Sequence, residues 1–348
     1  MGWQEGNKLT TELLSFLSEK NFEVDPQLTG EIIRFDRQGK NNGWFVGKEI
    51  TTKSGKSAIV ACFGDWKLDE RYDFLSQGEF NEEENKELRT KLSQAQKKAE
   101  KEKAKLQEIV AKTSLHIFNG AATTGESEYL KKKGLTGGYG ERYVPSNYIG
   151  CDILVPIRDS SERLMGFQRI GGDSSKYFAE GQKIKGCYHT IGNTTDKFVI
   201  AEGFATGASI WMATNITTII AFNASNLKEV AKEIRQKYPQ AQIVIACDDD
   251  RFSPKNVGIE HGKDAAFAAR ATYIIPVFKN NTENVTDFND LHVKEGLGEV
   301  KKQFNEHKFE APSEIIATQN TGFHTITWER GREVKKPNYD DLLQYFDR

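Results

Sequence analysis

Three short apolar runs, each leading into a helix-like segment, constrain this chain more than any other feature. "KFVIAEG" (197–203) runs into "ATGASIWMAT", and "TTIIAFN" (217–223) into "LKEVAKEIRQKY". "QIVIACDDD" (242–250) passes through a loop into "IEHGKDAAFAARA", and a fourth run, "YIIPVF", follows at 273–278. Strands that alternate with helices and read as continuous apolar runs belong to parallel sheets covered on both faces. In such sheets ligands collect at the carboxyl ends of the strands. Here those ends are acidic: Glu202 closes the first run, and Asp248, Asp249 and Asp250 close the third.

Three adjacent carboxylates repel one another, so solvent or a cation must offset them. Residues i and i+2 of an extended segment face the same way, so Asp248 and Asp250 can share a cation while Asp249 points elsewhere. With the first and third strands as near neighbours, Glu202 approaches from the side. Hard carboxylate oxygens of this kind suit Mg²⁺ or Mn²⁺, held together with water and substrate phosphates. An acidic turn after one strand is commonplace. A glutamate after one strand and D-x-D after another, in a βαβ setting, points to a metal site.

The rest of the chain divides by texture. Residues 1–76 combine an amphipathic helix ("LTTELLSFLSEK") with strand-like "GWFVGKEI" and "SAIVACFGDW". Residues 77–118 are dominated by Glu, Lys and Gln, with a thin stripe of Leu88, Leu92, Ala95, Ala99, Leu106 and Ile109 at helical spacing, which reads as a charged helical spacer. Residues 119–192 read as a small β-rich unit, 193–311 as the α/β sheet, and 312–348 as a tail or linker. The overall expectation is a multi-domain α+β protein. No apolar run approaches a membrane span. Four scattered cysteines without a CxxC pair indicate neither zinc nor disulfides and suit a reducing cytoplasm. A net charge of −2 leaves nucleic-acid binding to local patches.

"VIAEGFATGAS", then "IACDDD", then "GKDAAFAA" resemble a Toprim domain, the catalytic module of DnaG-type primases, topoisomerases and some nucleases. Upstream, "ESEYLKKKGL", "CDILVPIRDSSERLMGFQRIGGDSSKYFAEG" and "CYHTIG" are similar to the half that precedes Toprim in DnaG-type primases of plasmids, phages and mobile elements. The resemblance covers about half the chain, from residue 120 to 295. It implies a primase that makes short RNA primers from NTPs on single-stranded DNA, with a replicative helicase as partner, separate or fused. It also implies that Glu202, Asp248 and Asp250 hold catalytic metal, joined by Asp287 and Asp290 of "TDFNDLH". Arg158 and Lys176 match basic positions facing nucleotide and template; Lys131, Lys132 and Lys133 steer them electrostatically, and Gly203 and Gly207 either approach phosphate or pack helix on strand. Asp287 and Asn289 have a plainer reading as helix caps.

The N-terminal region departs from that family, which carries a zinc-binding domain there. It resembles the zinc-free counterpart of some plasmid and phage primases, with Trp44, Phe45, Phe63 and Trp66 among basic residues as a stacking surface for unpaired bases, or as an ordinary β-core. "TKSGKSA" (52–58) imitates a P-loop but lacks its first glycine and its strand-to-helix setting. His261 and His292 flank acidic motifs as structural residues, and Phe204, Trp211 and Met212 read as core. Two rivals use the same features: a Toprim nuclease, which does not need "VPIRD…SKY", and a non-catalytic module binding single-stranded DNA or helicase, for which clustered acids are a handicap.

Overall fold

The computed structural model describes residues 2–37, 40–66, 68, 70–145, 151–193, 195–252, 256–279 and 285–310, so the expected tail lies outside the described residues. Helix α1 (Gly2–Glu19) lies on an antiparallel meander of β1 (Thr29–Arg37), β2 (Lys40–Thr51), β3 (Ser57–Asp65) and β4 (Glu70–Leu75), in that spatial order. Cross-strand partners Phe45 and Phe63 face α1, packing with Leu13, Leu17, Phe22 and Phe74. Trp44, Val46 and Cys62 face the opposite way and are buried as well. A strand buried on both faces is continuously apolar, which is what "WFV" and "AIVACFG" display. Trp44 (3% exposed), Phe45 and Phe63 (both 0%) are therefore core, the second of the two readings open to them, and do not form a stacking surface for bases. Trp66 is half-buried, stacked on Trp44 and roofed by the Arg34 guanidinium 4.3 Å from its ring centre.

The second face is closed by α2 (Glu82–Gly120), 39 residues and about 58 Å long. Leu88, Leu92, Ala95 and Ala99 pack on the meander, whereas Ala111 and Phe118 enter the cores of the next unit. The expected spacer is thus a spine shared by two units, and Ile109, expected on its apolar stripe, is 62% exposed. A capping box starts the helix: Asn81 Oδ1 accepts from the Glu84 N–H, and the Glu84 carboxylate accepts from the Asn81 N–H. Glu84 also accepts from the Ser54 hydroxyl. "TKSGKSA" is accordingly the β2–β3 turn, with Gly55 left-handed at φ +85°, fastened to α2.

Next come α3 (Glu128–Lys132) and a second antiparallel sheet, β5 (Arg142–Tyr143), β6 (Ile153–Arg158), β7 (Leu164–Ile170) and β8 (Lys176–Tyr177). In "PIRD", Asp159 Oδ1 accepts from the Ser161 and Arg163 N–H groups and shapes the β6–β7 turn. Strand β9 (His189–Ile191) crosses over to the third sheet, which contains β10 (Lys197–Ala201), β11 (Thr217–Ile220), β12 (Gln242–Ala246) and β13 (Thr272–Ile274) in the order β13-β12-β10-β11-β9. Only β9 is antiparallel, so an element from before residue 193 completes the sheet. Helices α4 (Phe204–Thr214), α5 (Ala224–Lys237), α6 (Val257–Ala269), α7 (Phe288–Glu295) and α8 (Leu297–Glu306) cover it. Leu227, Val230 and Ala265 pack on one face, and Ile210, Phe288, Val300 and Phe304 on the other. Phe204, Trp211 and Met212 join the core between this sheet and the second, as expected. No helix among the described residues is long and apolar enough to cross a membrane.

Replacing Phe63 with alanine empties the centre of the meander, where its ring meets Phe16, Phe22, Phe45 and Tyr72. The expected cost is about 3–5 kcal/mol, read by calorimetry as a lower-temperature transition. A stacking residue on the surface would leave that transition unmoved.

Candidate metal centre

Strands β10 and β12 are hydrogen-bonded neighbours, with Ala201 opposite Ala246 at their carboxyl ends. One residue beyond, Glu202 leaves β10; two residues beyond, Asp248 leaves β12. The adjacency that the metal reading required is therefore present. Glu202 and Asp248 are half-buried, and the Oδ1 atom of Asp248 is enclosed without a hydrogen-bond partner. Asp250 accepts from the Gly258 N–H at 2.9 Å, at the start of α6. Asp249 points away: its Oδ1 accepts from Asn256, its Oδ2 from Arg251, and its N–H donates to the Thr286 carbonyl.

Asp287, at the start of α7, is the helix cap that its plainer reading expected. Its Oδ1 accepts from the Asp290 N–H at 2.8 Å as the helix cap, while its Oδ2 accepts from the Thr206 hydroxyl at 3.0 Å. Asp290 spends its own Oδ2 on the Thr286 N–H, so its carboxylate serves the turn.

The four carboxyls act on one another. Burial pushes the Asp248 carboxyl well above its ordinary range, and the charges of Asp287, Glu202 and Asp250 push it further, against Lys176. Burial and Asp250 raise Glu202, opposed by Lys176 and the Ala224 N–H at the start of α5. Burial and Asp290 raise Asp287, opposed by the Asp290 N–H, Lys133 and Thr206. Among the described residues no three His, Cys, Asp or Glu side chains converge into a ready-made ligand cage. The donor set nonetheless fits Mg²⁺ or Mn²⁺. Such ions take few carboxylates and complete their shell with water and phosphate, and the unpartnered Asp248 oxygen is a ligand in waiting.

Of the expected basic residues, Lys176, exposed on β8, and Lys133 act on the carboxyls. Lys131 is paired with Glu126 and Glu128, and Lys132 donates to the Gly172 carbonyl. The Arg158 guanidinium turns back to its own hairpin, donating to the Glu162 carbonyl at 2.9 Å. A Cβ on Gly207 would stand 2.0 Å from Ile220 Cδ1, so that glycine packs helix on strand. One on Gly203 would make only ordinary contact with Thr206, so close packing does not demand glycine there. His292 Nδ1 meets the Ser209 hydroxyl at 3.0 Å, as a structural residue would. Sequence reading missed Thr206, Ser209 and Asn256, whose roles depend on partners that no local pattern marks. It also missed Gly258 and Gly262, where a Cβ would lie 2.3 Å from the Asp248 carbonyl oxygen and 2.2 Å from Cys247 Sγ. Their four-residue spacing, one helical face, was the available signal.

Residues 197–298 match the family described as Toprim domain. The acids, the parallel ladder and this match agree. Residues 197–298 are a Toprim domain. Two curated proteins of Escherichia coli, both named DNA primase TraC, are similar to this chain. One is 33% identical over 159 residues, covering 43% of this chain and 11% of the relative. The other is 32% identical over 164 residues, covering 44% and 15%. The matched stretch is thus a small part of much longer proteins. A DnaG primase catalytic domain bound to single-stranded DNA aligns at a TM-score of 0.42 and 11% identity, covering 63% of this chain and 84% of that one. The Aquifex aeolicus primase, with zinc-binding and RNA polymerase domains, aligns at 0.40 and 13%, covering 86% and 85%.

A carboxyl raised in the folded Toprim domain holds a proton that the unfolded chain releases, so stability falls as pH rises from about 4 through the raised values. Asp248→Asn removes that penalty. In chelator, its melting temperature should exceed the parent's by roughly 2–6 °C at neutral pH, with the gap closing below about pH 4. Adding Mg²⁺ should stabilise the parent more than the variant. A gap independent of pH would show that Asp248 ionises normally.

Proposed function

We propose that this chain is the catalytic core of a DNA primase, which joins ribonucleotides into short primers on single-stranded DNA by metal-dependent nucleotidyl transfer. The observation that carries the reading is the placement of Glu202 and Asp248 at the ends of adjacent parallel strands, with Asp250 and Asp287 beside them and Asp248 Oδ1 unpartnered. The similarity to the two TraC primases supports it.

Glu202, Asp248 and Asp250 hold divalent metal in this reading, with Asp287 completing the acidic wall. A divalent ion held there would supply charge neutralisation for a triphosphate and would lower the pKa of a primer 3′-hydroxyl, which in primer extension bonds to the α-phosphate while pyrophosphate departs. Lys176 and Lys133 face the acids from two different segments and meet the phosphates. The backbone at Gly203 meets the triphosphate at the start of α4. Lys131, Lys132 and Arg158, engaged locally, contribute background charge toward the template. The meander supplies the remaining template contacts without zinc, through charge and Trp66. NTPs and the single-stranded template are the substrates, a replicative helicase is the partner, and the cytoplasm is the compartment.

Primer synthesis on single-stranded DNA with labelled NTPs and Mg²⁺ or Mn²⁺ tests the reading. Short RNA products should fall by roughly 10²–10³ in Asp248→Ala, the loss that removing metal stabilisation implies. Template cleavage lost in the same variant would assign the chain to the Toprim nucleases. DNA binding with neither activity would make it a binding module.

A further inference from the structure

Asn289 is completely buried on the first turn of α7, two residues after Asp287. Its Nδ2 donates to the Lys133 carbonyl at 2.8 Å and to Ser209 Oγ at 2.9 Å. Only the nitrogen of an amide can face a carbonyl oxygen, so chemistry settles which way the side chain points. Ser209, also fully buried, accepts that bond and is hydrogen-bonded to His292 Nδ1 as well. The two contacts join three elements remote in sequence. Lys133 is the C-terminal cap of α3 and belongs to the segment before the Toprim domain. Ser209 lies on α4, the helix that begins beside Glu202 and sends Thr206 to Asp287. Asn289 shares α7 with Asp287 itself.

The α3 turn closes through its own backbone, with the Lys133 N–H donating to the Tyr129 carbonyl and the Leu135 N–H to the Leu130 carbonyl; Asn289 adds the tie to α7. Helix α3 has five residues and turns away through Gly134, left-handed at φ +65° and seated on the His292 ring. Lys131 and Lys132, its other basic residues, are engaged elsewhere. Lys133 is the one of the three that acts on Asp287, and its backbone is tied to the helix that carries Asp287.

We propose that Asn289 is a positioning residue: braced by Ser209, it holds the α3 turn so that the Lys133 ammonium stands at the rim of the carboxylates and meets a phosphate of the nucleoside triphosphate. This deepens the nucleotidyl-transfer reading and rests on it for the identity of the ligand. Lys133 makes the contact; Asn289 acts only through Lys133.

The test is calorimetric binding of Mg²⁺–ATP to the full chain and to Asn289→Leu, Lys133→Ala and the double variant. Leucine nearly matches asparagine in shape and removes both donated bonds. Each single variant should bind about five- to tenfold more weakly, and the double variant no more weakly than Lys133→Ala alone, because both remove one interaction. A merely structural Asn289 would give additive losses, or a lower melting temperature with unchanged affinity; either overturns the proposal. Should Asn289→Leu fail to fold, Ser209→Ala removes the brace alone and is expected to weaken binding about two- to threefold, whereas unchanged affinity overturns the proposal. Absence of ATP binding by the parent also overturns it. Binding with the expected coupling but no primer synthesis would sink the primase reading and leave Asn289 in its role.

Discussion

The in-register pairing of β10 with β12 is the constraint on which the site depends. Parallel strands present their ends on the same side, so Ala201 opposite Ala246 delivers Glu202 and Asp248 to one place before any loop has chosen a conformation. Unit charges about 4 Å apart near a protein surface repel by roughly 4 kcal/mol, and burial adds to that. Burial and mutual repulsion raise the Asp248, Glu202 and Asp287 carboxyls, so their charged forms are disfavoured in the folded chain. A cation bound there would relieve that repulsion, which is the free energy the proposed metal site would draw on.

Around it, the chain separates the acids that face the site from those that shape it. Asp249 is saturated by Arg251, Asn256 and the backbone of Thr286, which fixes the turn and keeps its charge off the cluster. Asn256 uses both ends of its amide, holding Asp249 with Nδ2 and the Asp250 N–H with Oδ1. Gly258 and Gly262 let α6 lie directly on the peptide that carries Asp248. Asp290 plays the part of Asp249 at the other motif, shaping the turn that presents Asp287. In both, neighbouring carboxylates of one motif have opposite duties, which alternation along an extended segment explains for 248–250 but not for the helical turn at 287–290.

How much of this was legible follows from how local each cause is. The strand–helix repeats and their acidic ends lie in contiguous residues, and they were read correctly. The adjacency of β10 and β12 depends on topology; the spacing was compatible with it without requiring it. Strand β9 escaped notice because its three residues gain their place only from an edge 27 to 31 residues along the chain, where Ile191 pairs with Thr218 and His189 with Ile220. The bonds from Thr206 to Asp287 and from Asn289 to Ser209 span 81 and 80 residues, beyond any pattern in one sequence. At the meander two readings, stacking surface and β-core, stayed open for a different reason. Basic residues between aromatics suggested a surface, yet "WFV" and "AIVACFG" lack the apolar–polar alternation of a one-faced sheet. Recognising that run would also have given α2 its task, since only that helix is long enough to cover the second face.

That burial changes what the N-terminal unit can offer a nucleic acid. With Trp44, Phe45 and Phe63 enclosed, Trp66 is the one of those four aromatics left to meet a base, and its ring is already occupied by Trp44 and the Arg34 guanidinium. What remains is charge, and charge on a backbone is blind to sequence and weakened by salt. The unit is also held at a fixed place. Helix α2 is continuous from the meander to the second sheet, and the Arg34–Glu180 pair at 3.3 Å, exposed and worth little by itself, joins the same two bodies a second time. A strand gripped by such a unit would be held in a set geometry relative to the carboxylates, so its contribution would lie in geometry more than in recognition. Choice of where to begin would then fall to the residues around the carboxylates or to a partner.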